Sequence, residues 1–364
     1  MVTSGPLDQH YMISSTNGAV DDEPDTVTTS KYYDYYDYDP AVICVYGDHG
    51  ARILPTLYSL YFVVGFLANM LVVWVVCMAA KLRSMTDICL LNLALADLLL
   101  LSSFPFLAHY IRDQWIFGDV MCTAVLSVYY IGFYSVIFFT VLMSINQYIA
   151  IVHDVLARTY GILASVVIWI IAVSASFPEV MHFKTNNFNQ QIVCGLFNPT
   201  GDQNLYFSLN IFSIFKMNLI GLVIPLFIIG FFYSLILKRP LTARSSRKQN
   251  MCYVIIVLVV FFCCYAPYNI AAFVKVLEMK EIISNSCDLS KAINLSLQIT
   301  EALTNSHTCI NPILFVFVQE KYRKHLVSLL YKTPCGRLHF MNDNPTQATE
   351  SVYLQNTERP GTVV

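Results

Sequence analysis

The chain has 364 residues, of which 56% are apolar and 13% charged, with a formal net charge of -2. Soluble domains carry roughly a quarter charged residues, so a two-domain soluble protein is excluded, and so is disorder over most of the length. Eleven cysteines are too sparse for a disulfide-framework miniprotein.

Residues 1–51 form an acidic tail with nine acids and one base, Lys31. Met1 to Asn17 has no apolar core of a secretory signal, so the tail is expected to be retained. Five tyrosines, Tyr32, Tyr33, Tyr35, Tyr36 and Tyr38, are interleaved with acids. That pattern suits tyrosine sulfation and an anionic strip that steers and holds a basic protein. A solvated low-complexity tail is the plain alternative.

Seven long apolar runs follow. Ile53 to Ala80, Val120 to Val152, Tyr160 to Pro178 and Gln249 to Val274 hold no acid or base. Ile88 to Tyr110 contains only Asp97, Leu205 to Leu237 only Lys216, and Ala292 to Gln319 only Glu301. A span needs about 20 mostly apolar residues, and runs this long are helices rather than barrel strands. The expected fold is an all-α membrane protein, a seven-transmembrane helix bundle over residues 52–319. Lys216 either snorkels outward or faces the interior.

Basic residues fix the expected orientation. Lys81 and Arg83, then Lys238, Arg239, Arg244, Arg247 and Lys248, then Lys321, Arg323 and Lys324 lie on one side. The positive-inside rule makes that side cytoplasmic and the N-terminus extracellular. Residues 320–331 place Tyr322, Leu326, Leu329 and Leu330 at helical spacing among bases, which predicts an amphipathic helix on the inner leaflet. Cys335 follows as a palmitoylation candidate or a free thiol. The polar tail, 332–364, ends Thr362-Val363-Val364, a pattern that PDZ domains read, though three residues also match by chance.

In this topology Cys44, Cys122, Cys194 and Cys287 face the oxidising side, and four cysteines allow three pairings. Pairing Cys122 with Cys194 would pin the second outer loop across the bundle. Cys44 and Cys287 would then join the tail to the loop before the seventh helix. Asn294 is a glycosylation sequence at a helix start, a poor place for a glycan.

The helices carry a pattern of their own. It comprises Gly65 to Val72 around Asn69, Leu91-Asn92-Leu93-Ala94-Leu95-Ala96-Asp97-Leu98, Trp169, Pro225 with Tyr233, Pro267-Tyr268-Asn269 and Asn311-Pro312. Together these resemble a rhodopsin-like G-protein-coupled receptor. The subfamily resembles the CC chemokine receptors, through Leu54 to Leu60, Trp115-Ile116-Phe117-Gly118, Ile149 to His153, Lys216-Met217-Asn218, Cys309 to Ile313 and Glu320 to Arg323. The four outer cysteines and the acidic tyrosine tail complete the match, over residues 31 to 335.

The resemblance implies a plasma-membrane receptor for a small basic secreted chemokine, serving chemotaxis and immune signalling. The ligand's N-terminus would enter the bundle and pair its ammonium with Glu301. An intramembrane carboxylate marks a functional site by default. A plain ion pair with Lys275 is the alternative. Tyr58, Tyr110, Tyr129 and Tyr268 match pocket aromatics, and Leu107 stands where the family has tryptophan. Asp97, with Asn69 and Asn311 as implied neighbours, would bind a sodium ion. His307 is expected to be a hydrogen-bonded core histidine beside it.

Activation motifs depart from the family. Asn146-Gln147-Tyr148 stands where the family has Asp-Arg-Tyr, and neither Asn146 nor Gln147 can replace the ion pair or the planar cation. Phe315 replaces the tyrosine after Asn311-Pro312 and cannot bridge to Tyr233. Tyr265 replaces the toggle tryptophan before Pro267. These changes leave two readings: a receptor with weakened coupling to heterotrimeric G protein, or a scavenger that internalises ligand, with arrestin as a partner. A receptor for another peptide is the runner-up. No enzyme motif or metal-ligand pair stands out. The basic loop suits lipid headgroups and gives no support to nucleic-acid binding.

Overall fold

The computed structural model describes residues 49–80, 82, 84–152, 158–188, 191–196, 203–237, 245–283, 286–318 and 326. For Gln147 and Phe315 only the backbone is described. The sulfation tyrosines, Cys44, Cys335, the PDZ-type terminus and nearly all of the expected amphipathic helix lie outside the described residues.

Helix α1 spans His49–Val75 and ends in a π-helical turn at Val76–Ala80. Helices α2, α3 and α4 are Met85–Arg112, Gly118–Val152 and Arg158–Val180. Strands β1, Phe183–Phe188, and β2, Gln191–Leu196, pair antiparallel with Thr185 opposite Cys194. Helix α5 runs Gln203–Asn218, passes a π-helical turn at Leu219–Val223 and resumes over Ile224–Leu237. Helix α6 is Ser245–Met279. Helix α7 has two segments, Cys287–Asn305 and His307–Val318.

Long apolar runs become helices because a membrane offers the backbone no water to bond. Local chemistry sets their ends. Ser84 caps α2 by accepting from Asp87 N at 3.2 Å, while Asp87 accepts from Ser84 N at 3.0 Å. Among the described residues six helices are long and apolar enough to cross a membrane. The seventh differs from the uninterrupted run expected from Ala292 to Gln319. Its first segment carries Asp288, Lys291 and Glu301, and the rod breaks at Ser306, whose hydroxyl donates to Leu303 O at 2.6 Å. Side-chain bonding to the preceding turn competes with the helix ladder.

The helices close a ring: α1 packs on α2, α2 on α3 and α4, α6 on α7, and α7 back on α1. Helix α3 is the most buried, and it also meets α5 and α6. Two apolar clusters fill the ring. One, around Phe104, Trp115, Tyr129, Phe133 and Tyr265, lies toward the hairpin end. The other, around Val75, Cys89, Phe139 and Met143, lies toward the far end. Leu60, Leu67, Ile162, Ile170 and Phe227 face outward, as a lipid-facing surface requires.

The sequence offered a loop where the hairpin lies. Phe183–Phe188 is mostly polar and lacks the alternation of a half-buried strand. Tertiary anchors hold it instead. Cys122 is bonded to Cys194. Thr123 Oγ1 donates to Phe183 O at 2.8 Å, Thr185 N donates to Asp119 Oδ1 at 2.7 Å, and Trp115 N donates to Ile192 O at 2.9 Å. Cys287 is also disulfide-bonded.

Close packing of α2 on α3 rests on Gly132. A Cβ there would sit 2.8 Å from Leu100 N and 2.9 Å from its Cα, both backbone atoms. Gly132→Ala is expected to cost about 1–3 kcal/mol by overpacking, read as a lower thermal midpoint of the purified protein in detergent. Gly221→Ala, where the nearest atom would be 3.6 Å away, should cost clearly less.

Candidate functional site

Toward the hairpin end, α1, α3 and α7 bring polar groups together inside the bundle. Tyr58 OH donates to Glu301 Oε1 at 2.9 Å, and Asn305 Nδ2 donates to Tyr58 OH at 3.0 Å. Tyr129 OH reaches Asn305 Oδ1 at 3.4 Å. Tyr58, Tyr129, Tyr268 and Glu301 are all buried. Tyr58, Tyr129 and Glu301, three of the five bundle residues expected to bind ligand, share one hydrogen-bonded site through Asn305.

Tyr110, the fifth, plays another part. Its hydroxyl accepts from Cys194 N at 3.1 Å, and its ring meets Trp115 edge-on. It supports the hairpin from below. Lys275 does not pair with Glu301 either. It pairs with Glu278 one turn along α6, at 3.0 Å. Leu107 is buried in the apolar cluster.

One layer deeper lies a second network. Tyr265 OH is 3.1 Å from His307 Nε2, and His307 Nδ1 contacts Thr304 O. A carbonyl only accepts, so Nδ1 carries the proton and Nε2 accepts from Tyr265. His307 Nε2 also lies 3.5 Å from Asp97 Oδ1, an atom with no hydrogen-bond donor. Asn311 Nδ2 donates to Asp97 Oδ2 at 3.2 Å. The expected core histidine is therefore in place, bonded to Tyr265 and lying beside Asp97.

Asn69 does not bond Asp97, contrary to expectation. Its amide donates to Gly65 O and Thr308 O, each at 2.9 Å. The reason is Pro312. Proline lacks the N–H that would bond the carbonyl four residues earlier, which is that of Thr308. Asn69 takes the freed oxygen and ties α1 to α7.

At the far end, Asn146 is buried and donates to Thr86 Oγ1 at 2.9 Å, joining α3 to α2. Tyr148 packs on Phe232 with ring centroids 5.1 Å apart. Tyr233 packs against the far-end apolar cluster. A neutral hydrogen bond thus occupies the place expected to lack an ion pair.

One feature was missed in the sequence. Glu179 lies one residue beyond the charge-free run of α4, yet it is 2% exposed. Lys216 Nζ donates to Glu179 Oε2 and to Ala175 O, and sits 5.3 Å from the Tyr134 ring centroid. Ser213 Oγ donates to Glu179 Oε1 at 2.9 Å. Lys216 faces inward, and the signal available was the pairing of the one cation of α5 with the nearest acid at a span end. Among the described residues no group of three or more His, Cys, Asp or Glu side chains could hold a metal.

Removing one partner of such a pair strands a buried charge. Lys216→Met alone should cost about 3–5 kcal/mol, while Lys216→Met with Glu179→Leu should recover most of it. Thermal midpoints of the four species in detergent check this. Tyr265→Phe should cost about 1–3 kcal/mol by leaving His307 Nε2 without its donor, in the same assay.

The arrangement has a buried polar site at one end, the Tyr265–His307 and Asn311–Asp97 hydrogen bonds beneath it and tight helix contacts at the other end. The family model described as 7 transmembrane receptor (rhodopsin family) matches residues 68–315, more than half of the chain. Members of that family are multi-pass plasma-membrane proteins that bind a ligand and act through a G protein or arrestin, and they are receptors rather than enzymes. The chain belongs to the rhodopsin family of seven-transmembrane, G-protein-coupled receptors.

Proposed function

We propose that this receptor binds basic secreted CC chemokines at the hairpin end, which faces outside the cell. The buried Glu301 carboxylate within the Tyr58, Asn305 and Tyr129 cluster carries the reading. The Tyr58 hydroxyl bonds that carboxylate, and a carboxylate inside an apolar bundle marks a functional site. The ligand's terminal ammonium would join Tyr58 on that carboxylate. The acid-rich tail supports a basic ligand: nine acids against one base in residues 1–51 before any sulfation of Tyr32, Tyr33, Tyr35, Tyr36 or Tyr38.

Beneath the pocket the expected sodium ion finds a poor donor set. Asp97 is met by the Asn311 amide nitrogen and the His307 imidazole, not by a shell of oxygens. Hard cations take oxygen ligands. The nitrogen neighbours of Asp97 do not fit sodium.

A second reading concerns coupling. Asn146 bonds Thr86 across α3 and α2, and Gln147 offers no cation to a G protein. These favour a receptor that couples weakly, or one that takes up ligand without G-protein signalling. Arrestin at the cytoplasmic face, a palmitate on Cys335 and a PDZ protein at Thr362-Val363-Val364 would serve such traffic.

Labelled CC chemokines on transfected cells test the binding. Glu301→Gln should weaken binding at least about ten-fold, and blocking sulfation should weaken it further. Unaltered binding in Glu301→Gln sinks the ammonium assignment. In the same cells, ligand uptake without inhibition of cyclic AMP is expected, and the pair Asn146→Asp with Gln147→Arg should gain coupling. Strong, pertussis-toxin-sensitive signalling by the wild type would overturn the weak-coupling reading.

A further inference from the structure

Helix α7 carries a third polar side chain on the face that holds Glu301. Asn294 precedes Glu301 by seven residues and Asn305 by eleven. At about 100° per residue, all three fall within roughly 40° of one another on the helix surface. At about 1.5 Å rise per residue, Asn294 stands about 10 Å nearer the hairpin end than Glu301.

Asn294 is buried, at 7% exposure, yet among the described residues neither its Nδ2 nor its Oδ1 has a hydrogen-bond partner. Leaving a buried amide unpaired is costly, and such groups call for an explanation. Its neighbours do not share the problem. Glu301 accepts from Tyr58, and Asn305 bonds both Tyr58 and Tyr129. Ile293 and Leu297 beside it are apolar and buried, so a leucine would suit the site if packing were its only task. A glycan does not explain the residue, because a side chain buried within a helix is closed to the glycosylation machinery.

We propose that Asn294 is a further ligand-contacting residue, hydrogen-bonding the main chain of the ligand's N-terminal segment on its way to Glu301. The assignment rests on the chemokine reading above. The side-chain amide offers one acceptor and two donors. That set matches the N–H and C=O of an extended peptide, whatever its side chains. Asn294 reads the presence of a peptide strand, and Glu301 reads where that strand ends.

The test uses cells displaying the full-length receptor and two forms of a labelled basic CC chemokine, intact and N-terminally truncated. Asn294→Leu should weaken the intact ligand about ten-fold, as expected for two lost hydrogen bonds. It should leave the truncated ligand unaffected. It should also raise the thermal midpoint of the unliganded receptor, since an unpaired amide is replaced by an apolar group. Asn294→Gln, which keeps the amide, should retain more affinity than Asn294→Leu. Ser296→Ala removes the glycosylation sequence, keeps the amide and should bind as wild type. If Asn294→Leu does not reach the surface, Asn294→Ala is read in its place.

Three results would overturn the assignment: wild-type affinity in Asn294→Leu, equal loss of both ligand forms, or a loss reproduced by Ser296→Ala. Wild-type receptor that binds the truncated ligand but gains nothing from the intact N-terminus would overturn it as well. Wild-type receptor that binds neither form overturns the chemokine reading itself, and the Asn294 assignment falls with it.

Discussion

Polar groups inside an apolar bundle have only one another to bond, and α7 is where this constraint is met. Its inner face carries Glu301, Asn305, His307, Thr308 and Asn311, all engaged with other helices or with their own turn. Tyr58 and Asn69 reach it from α1, Asp97 from α2, Tyr129 from α3 and Tyr265 from α6. The break at Ser306 and the proline at 312 expose carbonyls that these partners use. The least apolar of the seven rods is therefore the one on which the others converge.

The same convergence links the two ends of the molecule. The Glu301 cluster sits above the Tyr265–His307–Asp97 relay, which in turn sits above the Asn146–Thr86 contact. Tyr265 occupies a hinge region: two residues before Pro267, stacked on Phe261 at 4.5 Å and bonded to His307. A tryptophan at that position has a donor but no acceptor, whereas a tyrosine hydroxyl has both. Tyr265 donates to His307 Nε2 at 3.1 Å, and that nitrogen lies 3.5 Å from Asp97 Oδ1. At the far end a neutral amide bond from Asn146 to Thr86 restrains α3 against α2.

Much of this was legible in the sequence. Seven apolar runs and the motif residues Asn69, Asp97, Pro267 and Asn311 gave the bundle and its likeness. Glu301 stood out because it is the lone acid of its run. Other features were hidden for physical reasons. The hairpin depends on Cys122, Thr123 and Asp119 rather than on its own strand pattern. Glu179 lies past the end of a charge-free window, so its pairing with Lys216 could not be read from either run alone. Tyr110 shares its residue type with the pocket aromatics, and only its bond to Cys194 separates it from them.

Composition and spacing by themselves determined that the chain is a membrane-embedded helical bundle, and the resemblance of its motifs added the receptor type. Hydrocarbon imposes helix length and apolarity on each span separately, and those demands are written locally. Tertiary structure alone decided which polar groups meet: Tyr58 with Glu301, Asn69 with Thr308 rather than Asp97, Lys216 with Glu179 rather than lipid. Such pairings depend on the rotation and depth of each helix against its neighbours, which side-chain packing sets and no single span encodes. The net charge of -2 is the plainest case. As a sum it says nothing, and it acquires meaning only when the folded bundle buries Asp97, Glu179, Lys216 and Glu301 in its interior.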